Sequence, residues 1–260
     1  MKKFLVAGLL VLAAAPAAAT AATTTQKVYS DSPSWQSYDT RPGGAFEFVP
    51  GPDPAPLGSG SLHLTTTDGA AKVSLGNTQL AGTALGNVDE LSYETYRSSS
   101  STGSMAQVPS LQLAVSDPEA ADGFTTLVFE PVYNTGQGAI ANDTWQPWDA
   151  LNSGQGVWWS THDLPNQPAF TGYSTWDAIV AANPGATVQG AIINQGSGNP
   201  GIDANVDAVT LGASGDSTTY DFEPNSAPAS KDDCKNGGWT SFHPAFGNQG
   251  DCVSSVASGG

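Results

Sequence analysis

The sequence predicts an all-β fold, and three observations lead to that prediction. Short runs along the chain alternate polar and apolar residues with period two, a pattern typical of strands buried on one face. The 260 residues include 30 Gly and 18 Pro, which form the turns between strands. Only 12% of the residues are charged, which is too few for a coiled coil, while 39% are hydrophobic, which argues against intrinsic disorder.

We expect each run with period-two alternation or β-branched and aromatic content to form a strand. These runs are Ser61–Thr66, Leu91–Tyr96, Ser110–Val115, Thr125–Phe129, Val157–Ser160, Thr187–Ile193 and Val206–Leu211. Strands in this number, separated by turn residues, favour a β-sandwich or jelly roll over a fold in which strands and helices alternate.

One short helix is predicted to interrupt the strands. Ser174–Asp177 resembles a capping box with Asp in place of Glu, and the apolar run Ala178–Ala182 follows it. Asn183–Gly185 contains Pro and Gly, which end a helix.

The N-terminus has the layout of an export signal. Met1–Lys3 is cationic, Phe4–Ala15 is apolar, and Pro16–Ala22 is rich in small residues. We therefore expect residues 1–22 to be a signal peptide and the mature protein to be secreted. The apolar run is too short to span a bilayer, and the sequence has no other apolar stretch of membrane length. No membrane span is therefore expected in the mature form.

The two cysteines, Cys234 and Cys252, are expected to form a disulfide, because exported proteins fold in an oxidising compartment. A loop of this size contributes roughly 3 kcal/mol in the chain-entropy model. Two free thiols or half of a metal site are the alternatives. The expected organisation is a β-sandwich at residues 27–212, a linker with an edge strand at 213–230, and a disulfide-closed tail at 231–260.

The chain is strongly acidic. It has 24 Asp and Glu against 8 Lys and Arg, a formal net charge of −16. Because an acidic surface repels phosphate, a nucleic-acid partner is not expected.

Several segments resemble known families. Ala45–Phe48, Gly60–Thr65 and Ala204–Leu211 resemble the opening and closing strands of galactose-binding-like jelly rolls, the fold of many carbohydrate-binding modules. Asp232–Trp239 and Asn248–Val253 resemble a C-terminal segment shared by exported actinobacterial-type proteins. The first resemblance implies a jelly roll that binds carbohydrate, and the second implies export.

The jelly-roll resemblance also implies a structural Ca²⁺, an ion that takes six to eight oxygen ligands. In such modules the ligands come from the opening and final strands. The matching positions here are Glu47 and Asp207, with Asp203 nearby. Ordinary strand and turn carboxylates are the alternative interpretation.

Tryptophan gives the best indication of a binding surface, since flat aromatic rings pack against the apolar faces of sugars. Five of the seven Trp lie between Trp145 and Trp176, and alternation along Val157–Ser160 predicts one Trp facing the core and one facing outward. Many of these rings could instead fill the core. The candidate ligand-binding residues are Trp145, Trp148 and Trp159, with Glu94, Arg97 and Gln112 as polar partners.

The leading hypothesis is a secreted, non-catalytic protein that binds an extracellular polysaccharide or cell-wall polymer. One alternative is a jelly-roll glycoside hydrolase or polysaccharide lyase that uses Glu94 and Glu130 as paired carboxylates. The other is an extracellular structural or interaction protein without affinity for sugars.

Overall fold

The computed structural model describes residues 22–258. The expected export signal at residues 1–22 lies outside this range except for Ala22. Within the described range, no helix combines the length and the apolar character needed to cross a bilayer.

The described chain contains fourteen strands and two α-helices. The strands are β1 (Thr23–Val28), β2 (Gln36–Ser37), β3 (Gly44–Pro50), β4 (Gly60–Thr66), β5 (Lys72–Asn77), β6 (Val88–Arg97), β7 (Ser110–Ser116), β8 (Phe124–Phe129), β9 (Trp145–Asp149), β10 (Val157–Ser160), β11 (Ser174–Thr175), β12 (Thr187–Gly196), β13 (Ile202–Ala213) and β14 (Asp216–Phe222). The helices are α1 (Trp176–Ala182) and α2 (Gln249–Ser258). Short 3₁₀ segments lie at Leu85–Asn87, Pro131–Tyr133, Thr135–Gln137 and Lys235–Ser241.

The strands form two sheets of seven. We call one the front sheet, with the order β11-β10-β8-β7-β12-β5-β2, and the other the back sheet, which contains β1, β3, β4, β6, β9, β13 and β14. In the front sheet β5, β12, β7 and β8 lie side by side, and in the back sheet β4, β13, β6 and β9 do so. This interleaved order of eight strands over two sheets is a jelly roll.

The predicted fold class is therefore confirmed, and all seven predicted runs are strands. Strands β1, β2, β5, β9 and β11 were not predicted. Pro147 lies inside β9 and cannot donate a ladder hydrogen bond, so its presence argues against a strand in the sequence. The structure accommodates Pro147 because β9 is an edge strand that pairs only with β6.

The core lies between the sheets and is lined by the inward residues of both. The back sheet contributes Leu62 and Leu64, and the front sheet contributes Leu111 and Leu113; all four are fully buried. Trp158 of β10 is also fully buried, and it packs against two other aromatic rings. Apolar burial between the sheets is the main source of stability for this body.

The sandwich extends beyond residue 212, where the sequence analysis placed its end. Strand β14 pairs antiparallel with β13 on one side and parallel with β1 on the other, so it is not an edge strand. The polar composition of residues 213–219 suggested a linker. It reflects a two-residue turn at Ser214–Gly215 and the start of β14, where Asp216 is exposed and Thr218 and Thr219 are half-buried.

The predicted helix is present as α1. The side chain of Thr175 accepts a hydrogen bond from the amide of Ala178 at 3.4 Å, as an N-cap residue does. Trp176 and Ile179 on this helix are buried, so the helix covers the sandwich at the end of β10.

The tail is closed by the Cys234–Cys252 disulfide, as predicted, and both cysteines are fully buried. The sequence analysis did not predict the helix α2, which contains Cys252. His243 ties the tail to the N-terminal segment: its ring stacks on Tyr29 at 3.7 Å, and its Nε2 lies 2.6 Å from Asp31.

Arg97, a predicted ligand-binding residue, is buried and only 1% exposed. Its guanidinium donates to the Asn142 side chain at 2.6 Å and to the backbone carbonyls of Gly103, Ser104 and Gln107 at 2.8, 3.2 and 3.2 Å. The Arg97 guanidinium therefore holds the loop between β6 and β7 in place. The prediction that Arg97 contacts a ligand was wrong, because this group is buried and bonded to that loop.

We predict that Arg97→Met lowers the free energy of unfolding by about 3 kcal/mol, because it leaves several buried carbonyl oxygens without a donor. Urea denaturation measures this change. Arg41→Met is the matched control, since Arg41 pairs with Asp39 at the surface and its loss should cost less than about 1 kcal/mol. Equal losses for the two variants would contradict the assigned role of Arg97.

Candidate functional site

The outer face of the front sheet carries a groove of about 470 Å³ that crosses its strands. Strands β5, β7, β8, β10 and β12 all contribute side chains to its floor, and loops form its two ends. The lining residues are Tyr38, Asp39, Lys72, Ser74, Gln112, Thr126, Val128, Glu130, Trp159, Thr161, Phe170, Ile192, Asn194, Gly196, Ser197 and Asn199.

Strand register explains why these residues meet. Trp159 pairs with Val128, Val128 with Gln112, and Gln112 with Ile192, so one outward-facing row runs across four strands. Ile192 then pairs with Gly76 on β5, and Tyr38 lies beside Gly76. At roughly 4.8 Å between neighbouring strands, the row spans about 19 Å from β10 to β5.

An aromatic surface forms one end of the groove. The Trp159 indole is half-buried, and its Nε1–H donates to Glu130 Oε2 at 2.8 Å. Phe170 lies beside it with ring centroids 5.8 Å apart and is 63% exposed. The hydrogen bond fixes the edge of the indole, so that its ring is held in place on the groove wall.

Glu130 is a half-buried carboxylate on the groove wall. Burial raises the pKa of Glu130, and the hydrogen bond from Trp159 opposes this by favouring the charged form. Glu130 thus lines the groove while its Oε2 accepts from Trp159.

The other end of the groove is polar. Arg41 and Lys72 both donate to Asp39, which lowers the pKa of Asp39 to about 2. Tyr38 is 70% exposed next to this ion network. Because the ammonium of Lys72 is bound by Asp39 at 2.8 Å, its charge is already compensated within the groove.

The structure brings together only some of the predicted binding residues. Trp159 and Gln112 line the groove, as does Glu130. Trp148 does not, because it is 1% exposed and its Nε1–H donates to Thr95 inside the core. Trp145 and Glu94 lie on the outer face of the back sheet, on the opposite side of the sandwich.

Sequence reasoning missed Tyr38, Phe170, Asp39 and Lys72. Tyr38 and Phe170 lie in loops, where no periodicity marks a facing direction, and Phe170 has a positive φ of 59° that the sequence does not signal. Asp39 and Lys72 meet through the pairing of β2 and β5, and neither strand was predicted.

The alternative catalytic pair, Glu94 and Glu130, is not assembled by the fold. Glu94 lies on β6 of the back sheet and Glu130 follows β8 of the front sheet, and each side chain lies on the outer face of its own sheet. Packed sheets are about 10 Å apart, and these two carboxylates extend away from each other across that layer. They cannot flank one glycosidic bond.

The three proposed calcium ligands lie in different surroundings. Glu47 is exposed on β3, whereas Asp203 is held by His63 at 2.8 Å and by Ser100 at 2.6 Å. Asp207 is fully buried and accepts from the amides of Leu57 and Phe222 at 3.0 and 2.9 Å. Within residues 22–258, no three His, Cys, Asp or Glu side chains form a group able to hold a metal ion.

Asp207 fastens the loop before β4 to the back sheet. Burial raises its pKa from 3.8 to about 7, although three backbone amides donate to it, and the nearby charge of Asp221 raises it further. Glu223 holds the same loop through the amide and hydroxyl of Ser59. Gly58 has a positive φ of 53°, which favours glycine, and a Cβ there would force the Glu223 carboxylate to shift.

Comparisons with known proteins give weak similarities only. No family model and no curated protein matches the sequence. The CBM22-1 xylan-binding domain of Paenibacillus barcinonensis Xyn10C matches at 13% identity with a TM-score of 0.33, over 69% of this chain and 85% of that one. A β-1,2-glucanase from Parabacteroides distasonis matches at 12% identity with a TM-score of 0.36, over 75% of this chain.

A third solved structure is the CBM22-1–GH10 part of Clostridium thermocellum xylanase 10B, complexed with xylohexaose. It matches at 10% identity with a TM-score of 0.33, over 69% of this chain. This chain covers 24% of the glucanase and 26% of the xylanase. Similarities at this level do not assign a ligand to the chain.

We predict that stability falls as pH rises from about 4 to about 7, because over this range folded Asp207 keeps a proton that the unfolded chain has released. Each unit of pKa difference corresponds to about 1.4 kcal/mol. Urea denaturation across this range should show a shallower slope for Asp207→Asn than for the unsubstituted protein. Parallel slopes for the two proteins would contradict the raised pKa.

Proposed function

We propose that this chain is an extracellular, non-catalytic protein that binds a neutral linear polysaccharide in the groove of the front sheet. The observation that carries this proposal is the arrangement around Trp159. A half-exposed indole, fixed by Glu130 at 2.8 Å and flanked by exposed Phe170, lies at one end of a long open groove. Such a ring packs against the apolar face of a pyranose at little entropic cost.

The remaining chemistry of the groove suits the hydroxyl groups of a sugar chain. Gln112, Thr126 and Asn194 supply amide and hydroxyl groups along the floor. The row from β10 to β5 spans about 19 Å, which is enough for roughly four pyranose rings in a linear chain. A groove that crosses the strands and is open to solvent fits an internal stretch of a polymer.

Charge favours a neutral polymer over an acidic one. The chain has a formal net charge of −16, and the groove itself contains Asp39 and Glu130. Lys72, the cation of the groove, is bound by Asp39. A polyanion would therefore be repelled at a distance by the net charge, while Lys72 and Arg41 are both engaged by Asp39.

The groove geometry supports binding rather than hydrolysis. Glu130 and Asp39 are the two carboxylates in its lining, and they lie toward opposite ends. Glu130 follows β8, whereas Asp39 is bound by Lys72 of β5; two strands separate β8 from β5, roughly 14 Å between axes. Paired glycosidase carboxylates lie about 5–9.5 Å apart.

The extracellular setting rests on two features. The Cys234–Cys252 disulfide fits a protein that folds in an oxidising compartment. The layout of residues 1–22 is that of an export signal.

We predict that Trp159→Ala weakens binding of neutral polysaccharides by about tenfold or more, since the loss of a stacked aromatic contact costs at least roughly 1.4 kcal/mol. Affinity electrophoresis against soluble β-glucan, xylan and galactomannan measures this, with polygalacturonate as the anionic comparison.

Trp145→Ala is the matched control, because it removes the same side chain from the opposite face and should leave this affinity within about twofold. Near-ultraviolet circular dichroism confirms that both variants stay folded. Absence of binding to every polymer by the unsubstituted protein would favour an interaction protein without sugar affinity. Equal losses for the two variants would place the site elsewhere.

A further inference from the structure

A second, smaller cleft lies on the outer face of the back sheet, on the opposite side of the sandwich from the groove. Its volume is about 290 Å³. Pro56 and Leu57 from the loop before β4 form one wall, and Pro147 from β9 forms another. Thr210 lines its floor next to Thr219, and the hydroxyls of these two residues are hydrogen-bonded at 2.9 Å.

Glu94 is the distinctive group in this cleft. It faces outward from β6, where its register partners are Pro147 on one side and Asp207 on the other. Among the residues that the structure describes, no hydrogen bond or ion pair involves the Glu94 carboxylate. Burial raises the pKa of Glu94, because apolar walls replace part of its hydration.

The other charges around the cleft give Glu94 no compensation. No Lys, Arg or His within residues 22–258 lines it. Asp149 lies at the rim, and its Oδ1 accepts from the amides of Leu151 and Asn152. Asp207 is fully buried, and its Oδ2 accepts a hydrogen bond from the backbone amide of Leu57. A partly desolvated carboxylate in a negatively charged setting is complemented by a cation with an apolar body.

An aromatic surface adjoins this carboxylate. Tyr96 is two residues from Glu94 on the same outward face of β6, roughly 6.7 Å along the strand. Trp145 is its partner on β9, and the two ring centroids are 5.6 Å apart. The indole Nε1–H of Trp145 donates to the carbonyl of Pro52 at 3.0 Å, which holds the ring in place.

We propose that this cleft is a second binding site and that it binds a polysaccharide containing protonated amino sugars. The ammonium group of one sugar pairs with Glu94, and the apolar face of a neighbouring ring packs on Trp145 and Tyr96. The ligand differs in charge from the neutral chain proposed for the groove, and this site does not depend on the groove being occupied.

The test uses isothermal titration calorimetry with the tetramer of β-1,4-linked glucosamine, at mildly acidic pH where its amines are protonated. The N-acetylated tetramer is the paired probe, since it has the same rings and linkage but amides in place of ammonium groups. The unsubstituted protein should bind the amine form at least about tenfold more tightly, as expected for a charge-assisted hydrogen bond.

Glu94→Gln should remove this preference and leave the melting temperature unchanged or higher, because it replaces a partly buried charge with a neutral amide of the same shape. Glu119→Gln, which removes a charge from an exposed turn, is the matched control and should leave the preference within about twofold. Trp145→Ala should weaken binding of the amine tetramer.

Several results would overturn the proposal. Equal affinity for the two tetramers would remove the role of the ammonium group, and unchanged binding by Glu94→Gln would remove the role of the carboxylate. Loss of amine binding in Trp159→Ala, with no loss in Trp145→Ala, would move the ligand to the groove. Binding of neutral polysaccharide to the groove is measured separately with Trp159→Ala. A result against the groove proposal is therefore distinguishable from a result against this cleft.

Discussion

The burial of two apolar sheet faces against each other determines where every other residue of this protein can act. Along each strand, one set of alternate residues faces the inter-sheet core and the other set faces solvent. Trp158 and Trp159 show the consequence, since the first is fully buried and the second is half-buried in the groove. Groups that could contact a ligand are therefore divided between two outer faces, and each face carries its own set of aromatic rings and carboxylates.

These two faces differ in chemistry. On the front sheet, Glu130 bonds to Trp159, and the ammonium of Lys72 is bound to Asp39, so the polar groups of the groove are largely compensated by one another. On the back sheet, Glu94 is left among apolar walls. This contrast is why we assign a neutral chain to the groove and an amine-bearing chain to the cleft. Both faces are built on strands of one sandwich, which keeps their side chains in a fixed geometry.

Much of the fold could be predicted from the sequence, because period-two alternation specifies both strands and facing directions. In the structure, Tyr93, Thr95 and Arg97 share the buried face of β6, whereas Glu94 lies on the other face, as this alternation requires. Alternation could not show which sheet a strand joins, so Glu94 and Glu130 were paired although they lie on opposite sides. Alternation also could not show how deeply a side chain is buried. Trp148 and Arg97 were predicted to contact a ligand, but both side chains lie in the interior. The calcium ligands and the export signal stay predictions.

The most direct test of the groove is a titration of ¹⁵N-labelled protein with a soluble neutral polysaccharide fragment, followed by NMR. We expect the Trp159 indole Nε1–H resonance to shift together with the amides of Gln112 and Ile192, which share its row. The indole resonances of Trp148 and Trp158, both buried, should not move. Shifts confined to residues of the back sheet or the tail, or no shifts at saturating fragment, would contradict the account.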